Sequence, residues 1–87
     1  MTGNVQHDAK RQRFFVTVDG EEAYVQYARL DDDRVDFRST FTPDALRGRG
    51  LAAVVVGEAL AWARAEGLEV IPSCWYVKKY LDKESAR

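Results

Sequence analysis

The feature that most narrows what this chain can fold into is a change of hydrophobic period on either side of Thr42 to Ala52. From Arg34 to Phe41 the residues alternate, with Val35, Phe37, Ser39 and Phe41 on one side and Asp36, Arg38 and Thr40 on the other. From about Gly50 to Glu66, Ala52, Val55, Val56, Ala59, Leu60 and Ala63 fall on one helical stripe, with Glu58, Arg64 and Glu66 away from it. A strand must become a helix within the intervening Thr42-Pro43-Asp44-Ala45-Leu46-Arg47-Gly48-Arg49-Gly50-Leu51-Ala52. Proline cannot extend a ladder, and Thr42 before it suits the cap of a short helical turn. Two glycines and two arginines then run into the helix, so unpaired N–H groups and the positive end of a helix dipole meet at one point, which suits an anion. Small Gly48, Gly50 and Ala52 let the backbone approach a diphosphate, and Arg47 and Arg49 add charge. The same spacing also suits a turn that does no more than start a helix.

The rest of the chain fits around that junction. Arg13 to Val18 alternates, with Phe14, Val16 and Val18 on one face; Asp19-Gly20 supplies a hairpin turn, and Glu22 to Leu30 continues with Ala23, Val25 and Tyr27 on one face. Asp31-Asp32-Asp33 reads as a solvated turn, with a metal cluster as the weaker alternative. With Arg34 to Phe41 these strands form a three-stranded antiparallel meander. Gly67 ends the long helix, and Gly57 inside it points to close packing against the sheet. Glu69 to Ser73 is a short strand entered after a helix, so it should lie parallel to Arg34 to Phe41. A second helix runs from Trp75 or Tyr76 to Lys83 with Val77, Tyr80 and Leu81 inward, and Glu84 to Arg87 should fray. The expected class is α+β: a meander, one parallel strand reached through a crossover helix, and a short C-terminal helix. Residues 1–11 read as a flexible tail carrying a solvated His7, and 12–87 as one domain.

Topology then locates a crevice. Two parallel strands joined by a helix put their carboxyl ends on one edge, and ligands bind where neighbouring strands part. Pro72 cannot donate to the ladder, so the strands should separate near those ends. The loop Thr42 to Gly50, the helix start and Cys74 should open together into that gap. Cys74 lies just past a strand end and just before a helix, the kind of place in which reactive cysteines sit; its alternative is a small buried hydrophobe. Tyr76 and Tyr80 follow the thiol closely, although Trp62, Trp75, Tyr76 and Tyr80 equally suit packing.

Composition sets limits. The chain has 87 residues and a formal net charge of −1, which argues against sequence-independent binding of nucleic acid. One cysteine and one histidine leave no internal disulfide and no zinc set, consistent with a reduced, cytoplasmic setting. No apolar run approaches the ~20 residues of a membrane span. A monomer or a homodimer is equally compatible.

The spacing Arg47-x-x-Gly50-x-Ala52 resembles the signature with which GNAT-superfamily N-acetyltransferases hold the diphosphate of acetyl-coenzyme A: Arg or Gln, two residues, Gly, one residue, then Gly or Ala. Over roughly Arg13 to Lys83 the chain is similar to the minimal, YjdJ-like branch of that superfamily, and Val70-Ile71-Pro72-Ser73-Cys74-Trp75-Tyr76-Val77 carries the likeness to that branch. The resemblance implies acetyl-coenzyme A as co-substrate and no metal. It implies a cofactor site at Phe41, Thr42, Arg47, Gly48, Arg49, Gly50, Leu51 and Ala52, to which Tyr76 is added for its closeness to the thiol, and Cys74 as catalytic residue, either nucleophile or general acid. The reaction it implies is acetyl transfer to an amine of a small molecule or protein. Members of that branch often carry a His-Pro pair after the last helix where this chain has Glu84-Ser85, so no role passes to that histidine. For the proton of the amine, Asp36 or water are the candidates. A coenzyme A-binding or sensing module is the alternative, and a purely structural interaction domain the third.

Overall fold

The computed structural model describes residues 5–85. In chain order the elements are β1 (Gln6–Asp8), β2 (Arg13–Val18), β3 (Glu21–Arg29), β4 (Arg34–Phe41), a 3-10 turn (Asp44–Leu46), α1 (Leu51–Ala65), β5 (Glu69–Ile71) and α2 (Trp75–Ser85). The sheet runs β1-β2-β3-β4-β5; the first four strands are antiparallel, and β5 is parallel to β4. The α+β class and the parallel fourth pairing match expectation, but the antiparallel part has four strands rather than the three of the expected meander.

The extra strand lies in the stretch expected to be a loose tail. Gln6, His7 and Asp8 pair with Phe15, Phe14 and Arg13. An edge strand this short buries little of itself, so it leaves no alternation to read. Its turn is instead held by Asp8, whose Oδ1 accepts the N–H groups of Lys10 and Arg11 at 3.1 Å each. Residues 1–4 of the expected tail, and 86–87 of the expected frayed end, lie outside the described residues. Glu84 and Ser85 continue α2.

β2 and β3 meet through Asp19 and Gly20, both at positive φ (52° and 78°), as a tight right-twisted hairpin demands. Phe14, Val16, Ala23, Val25, Tyr27, Val35 and Phe37 make one buried sheet face, completed by Val55, Val56, Ala59, Leu60 and Ala63 of α1 and Val77 of α2. Tyr80 and Leu81 pack against the same core. Gly57 does allow a close approach, though to α2 rather than to the sheet: a Cβ there would come 3.0 Å from the Tyr80 hydroxyl.

One departure in β4 matters for function. Phe37 faces Tyr27 and Ser39 faces Gln26, so Arg38 is left over as a bulge. The extra residue reverses the alternation. Thr40 therefore pairs with buried Val25 and takes the helix side, whereas Ser39 and Phe41, expected on the side of Val35 and Phe37, share the opposite face with Gln26 and Tyr24.

Candidate functional site

β4 and β5 pair only as Arg34↔Glu69, Val35↔Val70 and Asp36↔Ile71. Pro72 follows at once, and β4 continues alone to Phe41, so the strands part at their carboxyl ends as the proline requires. The Cys74 N–H donates to Phe37 O at 2.8 Å, which pins the chain just beyond the fork.

The loop from β4 to α1 is anchored by the 3-10 turn, whose Leu46 is buried in the core. Pro43 rather than Thr42 begins that turn, and no side chain caps it. Gly48 (φ 84°) and Gly50 (φ 73°) are both left-handed, a conformation costly for residues with a Cβ. Gly50 ends the loop as the N-cap of α1 and offers no side-chain hydrogen bond. Among the described residues, no backbone or side-chain acceptor receives the N–H groups of Gly48 through Ala53. That row of unpaired donors adds to the partial positive charge of a helix of 15 residues.

A cavity of about 300 Å³ joins this loop to the fork, lined by Thr40, Thr42, Arg47, Ala52, Cys74, Trp75 and Tyr76. Cys74 is 7% exposed, and its Sγ lies 3.3 Å from the Thr40 hydroxyl, with either atom able to donate. The sulfur thus stands on the same side as the glycine loop. Tyr76 is half-buried; burial, with a smaller contribution from the neighbouring Tyr80, raises its pKa above the ordinary phenol value, so it keeps its proton at neutral pH.

The cofactor residues expected from the sequence separate by what they present. Thr42, Arg47, Ala52 and Tyr76 line the cavity with Cys74. Gly48, Gly50 and Leu51 bring backbone only, because the Leu51 side chain is 2% exposed and belongs to the core. Arg49 reaches Asp19 at 3.6 Å and Arg47 reaches Asp44 at 3.2 Å; both pairs are exposed, bind weakly, and can be exchanged for an anion. The Phe41 ring turns away, 5.6 Å from that of Tyr24 on the opposite sheet face. Thr40 was missed: its place depends on the Arg38 bulge, which alternation in a single sequence does not reveal.

Asp36 holds the last paired position before the fork. It is 9% exposed; Oδ2 lies 3.4 Å from Arg38 Nε, and Oδ1 has no hydrogen-bond partner among the described residues. His7, expected to be solvated, instead bonds through Nε2 to the Tyr27 hydroxyl at 2.6 Å and stacks on Phe14 at 4.1 Å. It packs with Trp62 in the last turns of α1, the end of that helix away from the loop. No group of three or more His, Cys, Asp or Glu suited to a metal occurs among the described residues, and no described helix is long and apolar enough to cross a membrane.

A sheet that forks beside a glycine loop at a helix start defines a class of protein, and comparison agrees. Residues 13–86 match the model of the GCN5-related N-acetyl-transferase family, and the chain belongs to that family. Among curated proteins it is similar to Protein NATD1 of Gallus gallus (38% identical over 79 residues, covering 88% of this chain and 72% of the relative) and of Homo sapiens (37% over 79 residues, 88% and 70%). Protein NATD1 of Xenopus tropicalis is 37% identical over the same span.

Proposed function

We propose that the protein is an acetyltransferase that takes acetyl from acetyl-coenzyme A and delivers it to an amine. The observation that carries this reading is the row of unpaired amides from Gly48 to Ala53, beside a cavity that Arg47 and Ala52 of the same loop line together with Cys74. The residues present fit the coenzyme. A diphosphate needs several N–H donors and no intruding side chains; a Cβ built on Gly48 or Gly50 meets nothing within 4 Å, so side chains there would project into open space above the loop. When bound, the coenzyme supplies an acetyl group activated as a thioester.

The chain's own residues supply the rest. Arg47 and the loop amides hold the diphosphate, and the parted backbone near Phe41 and Thr42 offers donors toward a carbonyl oxygen. In the transfer an amine nitrogen bonds to the acetyl carbon, the carbon–sulfur bond breaks, and the departing thiolate takes up a proton while the amine gives one up. Cys74, hydrogen-bonded to Thr40, either returns that proton or carries the acetyl group itself. Asp36, a buried carboxylate with an unpartnered oxygen at the fork, is the acceptor for the amine's proton.

The sheet face bearing Tyr24, Gln26, Ser39 and Phe41 lies outside the core, which leaves the acceptor side thinly walled and favours a coenzyme-binding module as the second reading. Calorimetry with acetyl-coenzyme A, comparing wild type with Gly50→Glu, tests binding: heat from the wild type alone is expected, and no heat from either protein removes both readings. Mass spectrometry after incubation with the thioester and a panel of amines, with Cys74→Ala as control, separates them. Acetylated amine supports the enzyme, an acetyl group retained on Cys74 identifies the nucleophile, and binding without product leaves the module.

A further inference from the structure

The C-terminal end of α1 borders a cavity that acetyl transfer leaves unused. Its volume is about 480 Å³, in the range of small-ligand sites. His7, Tyr27 and Trp62 give it an aromatic wall, and Gln12, Arg29 and Glu66 supply its polar groups. Trp62 lies eleven positions beyond Leu51, ~16 Å along the helix, so this space is no branch of the cavity at Cys74.

The polar groups are held by the fold yet lack charged partners. Arg29 Nε donates to Asp31 O at 3.2 Å and Nη2 to Asp32 O at 3.3 Å, and Arg29 Cζ lies 5.9 Å from the centre of the Trp62 ring. Those contacts orient the guanidinium and leave further N–H donors on it. Gln12 Oε1 accepts the Arg29 backbone N–H at 2.7 Å, while the Gln12 amide nitrogen has no acceptor among the described residues. Glu66 is the C-cap residue of α1. A carboxylate there meets the negative end of the helix dipole, an unfavourable place for an acid. Neither Arg29 nor Glu66 forms an ion pair among the described residues, with each other or with any other side chain, although both line this one cavity.

An oriented guanidinium suits a carboxylate. Glu66 and the negative helix end together suit an ammonium, and the indole suits an apolar group. One kind of small molecule carries all three: a free amino acid with an apolar side chain. We propose that this cavity binds such an amino acid, its carboxylate on Arg29 and Gln12, its ammonium on Glu66 and its side chain against Trp62, as a site separate from the cleft at Cys74. A ligand with only one of the two charges leaves the other side of the site unpaired, so full affinity needs both.

Titration of the isotope-labelled full chain at low salt, followed by two-dimensional NMR, tests this with three probes: L-phenylalanine, its N-acetyl form without the ammonium, and its amide without the carboxylate. Arg29→Gln and Glu66→Gln serve as variants, both at exposed positions outside the core. In the wild type, L-phenylalanine should give saturable shifts at the Trp62 indole N–H and the Gln12 side-chain amide, and removing either charge of the ligand should weaken binding about tenfold. Arg29→Gln should then bind the amide as well as the acid, and Glu66→Gln the N-acetyl form as well as the free amine. Absence of saturable shifts at Trp62 and Gln12 in the wild type, or variants that still prefer the doubly charged ligand by the same factor, overturns the proposal. Acetyl-coenzyme A takes no part in these titrations, so the coenzyme reading stands or falls separately.

Discussion

The two ends of α1 are finished in opposite ways. At its C-terminus Gly67 N–H donates to Arg64 O at 3.1 Å and Leu68 N–H to Ala63 O at 2.8 Å, a Schellman closure with Gly67 at φ 70°. Nearby, His7, Phe14, Tyr27 and Trp62 interlock. At its N-terminus Gly50 offers no cap, the first amides meet no acceptor among the described residues, and the cavity opens. One end spends its polar groups on the fold and the other leaves them without a partner among the described residues. The contrast teaches that a small domain can leave one helix end unsatisfied when packing elsewhere secures the helix.

Substitutions at each end should therefore break different properties. Tyr27→Ala removes a buried ring at the closed end and should lower unfolding free energy by about 3–5 kcal/mol in urea titration, with acetyl-coenzyme A affinity unchanged in the molecules that remain folded. If affinity falls in step with stability, the two ends are coupled and the contrast fails. Gly50→Glu at the open end should do the reverse. It places a carboxylate where the proposed diphosphate would sit and should weaken coenzyme affinity on the order of 100-fold, about 2.7 kcal/mol, while the left-handed backbone costs about 1–2 kcal/mol of stability.

Gly67→Ala sharpens the comparison with a glycine of nearly the same φ. It should cost about 1 kcal/mol in thermal or urea unfolding and leave calorimetric binding untouched. The smallest effect concerns pH. Burial, partly opposed by the charge of Asp8, lowers the His7 pKa below its ordinary value of 6.5. The unfolded chain thus takes up the proton first as pH falls, so stability is level above about 6.5 and declines between that value and the folded pKa. Urea midpoints at pH 7.5 and 5 should show a modest decline that His7→Gln abolishes; an unchanged slope in that variant would assign the decline elsewhere.

How much was legible beforehand follows from which residues carry their own periodicity. β2, β3, β4, α1 and the parallel placement of β5 were readable because apolar side chains mark their buried faces, and Pro72 marked the fork. Cys74 and the glycine loop were brought together by topology alone. β1 was not readable, since Gln6, His7 and Asp8 are held by backbone pairing and by a ring contact between His7 and Tyr27, twenty positions apart. The thiol's partner Thr40 and the turned-away Phe41 were hidden for a different reason: a bulge changes which face every later residue takes without changing the pattern itself.

That bulge has a consequence of its own. Arg38 works as a frame shift written in space: the first half of β4 is phased for the interior and the second half sets Thr40 at the cavity, with one unpaired residue as the joint. Drawing Arg38 into the ladder, one residue opposite one, would return the strand to a single phase, pointing Thr40 outward and bringing Phe41 to the helix side, while Val35 and Phe37 kept their places. A strand so straightened would keep the first half of its core face yet part the hydroxyl from the sulfur.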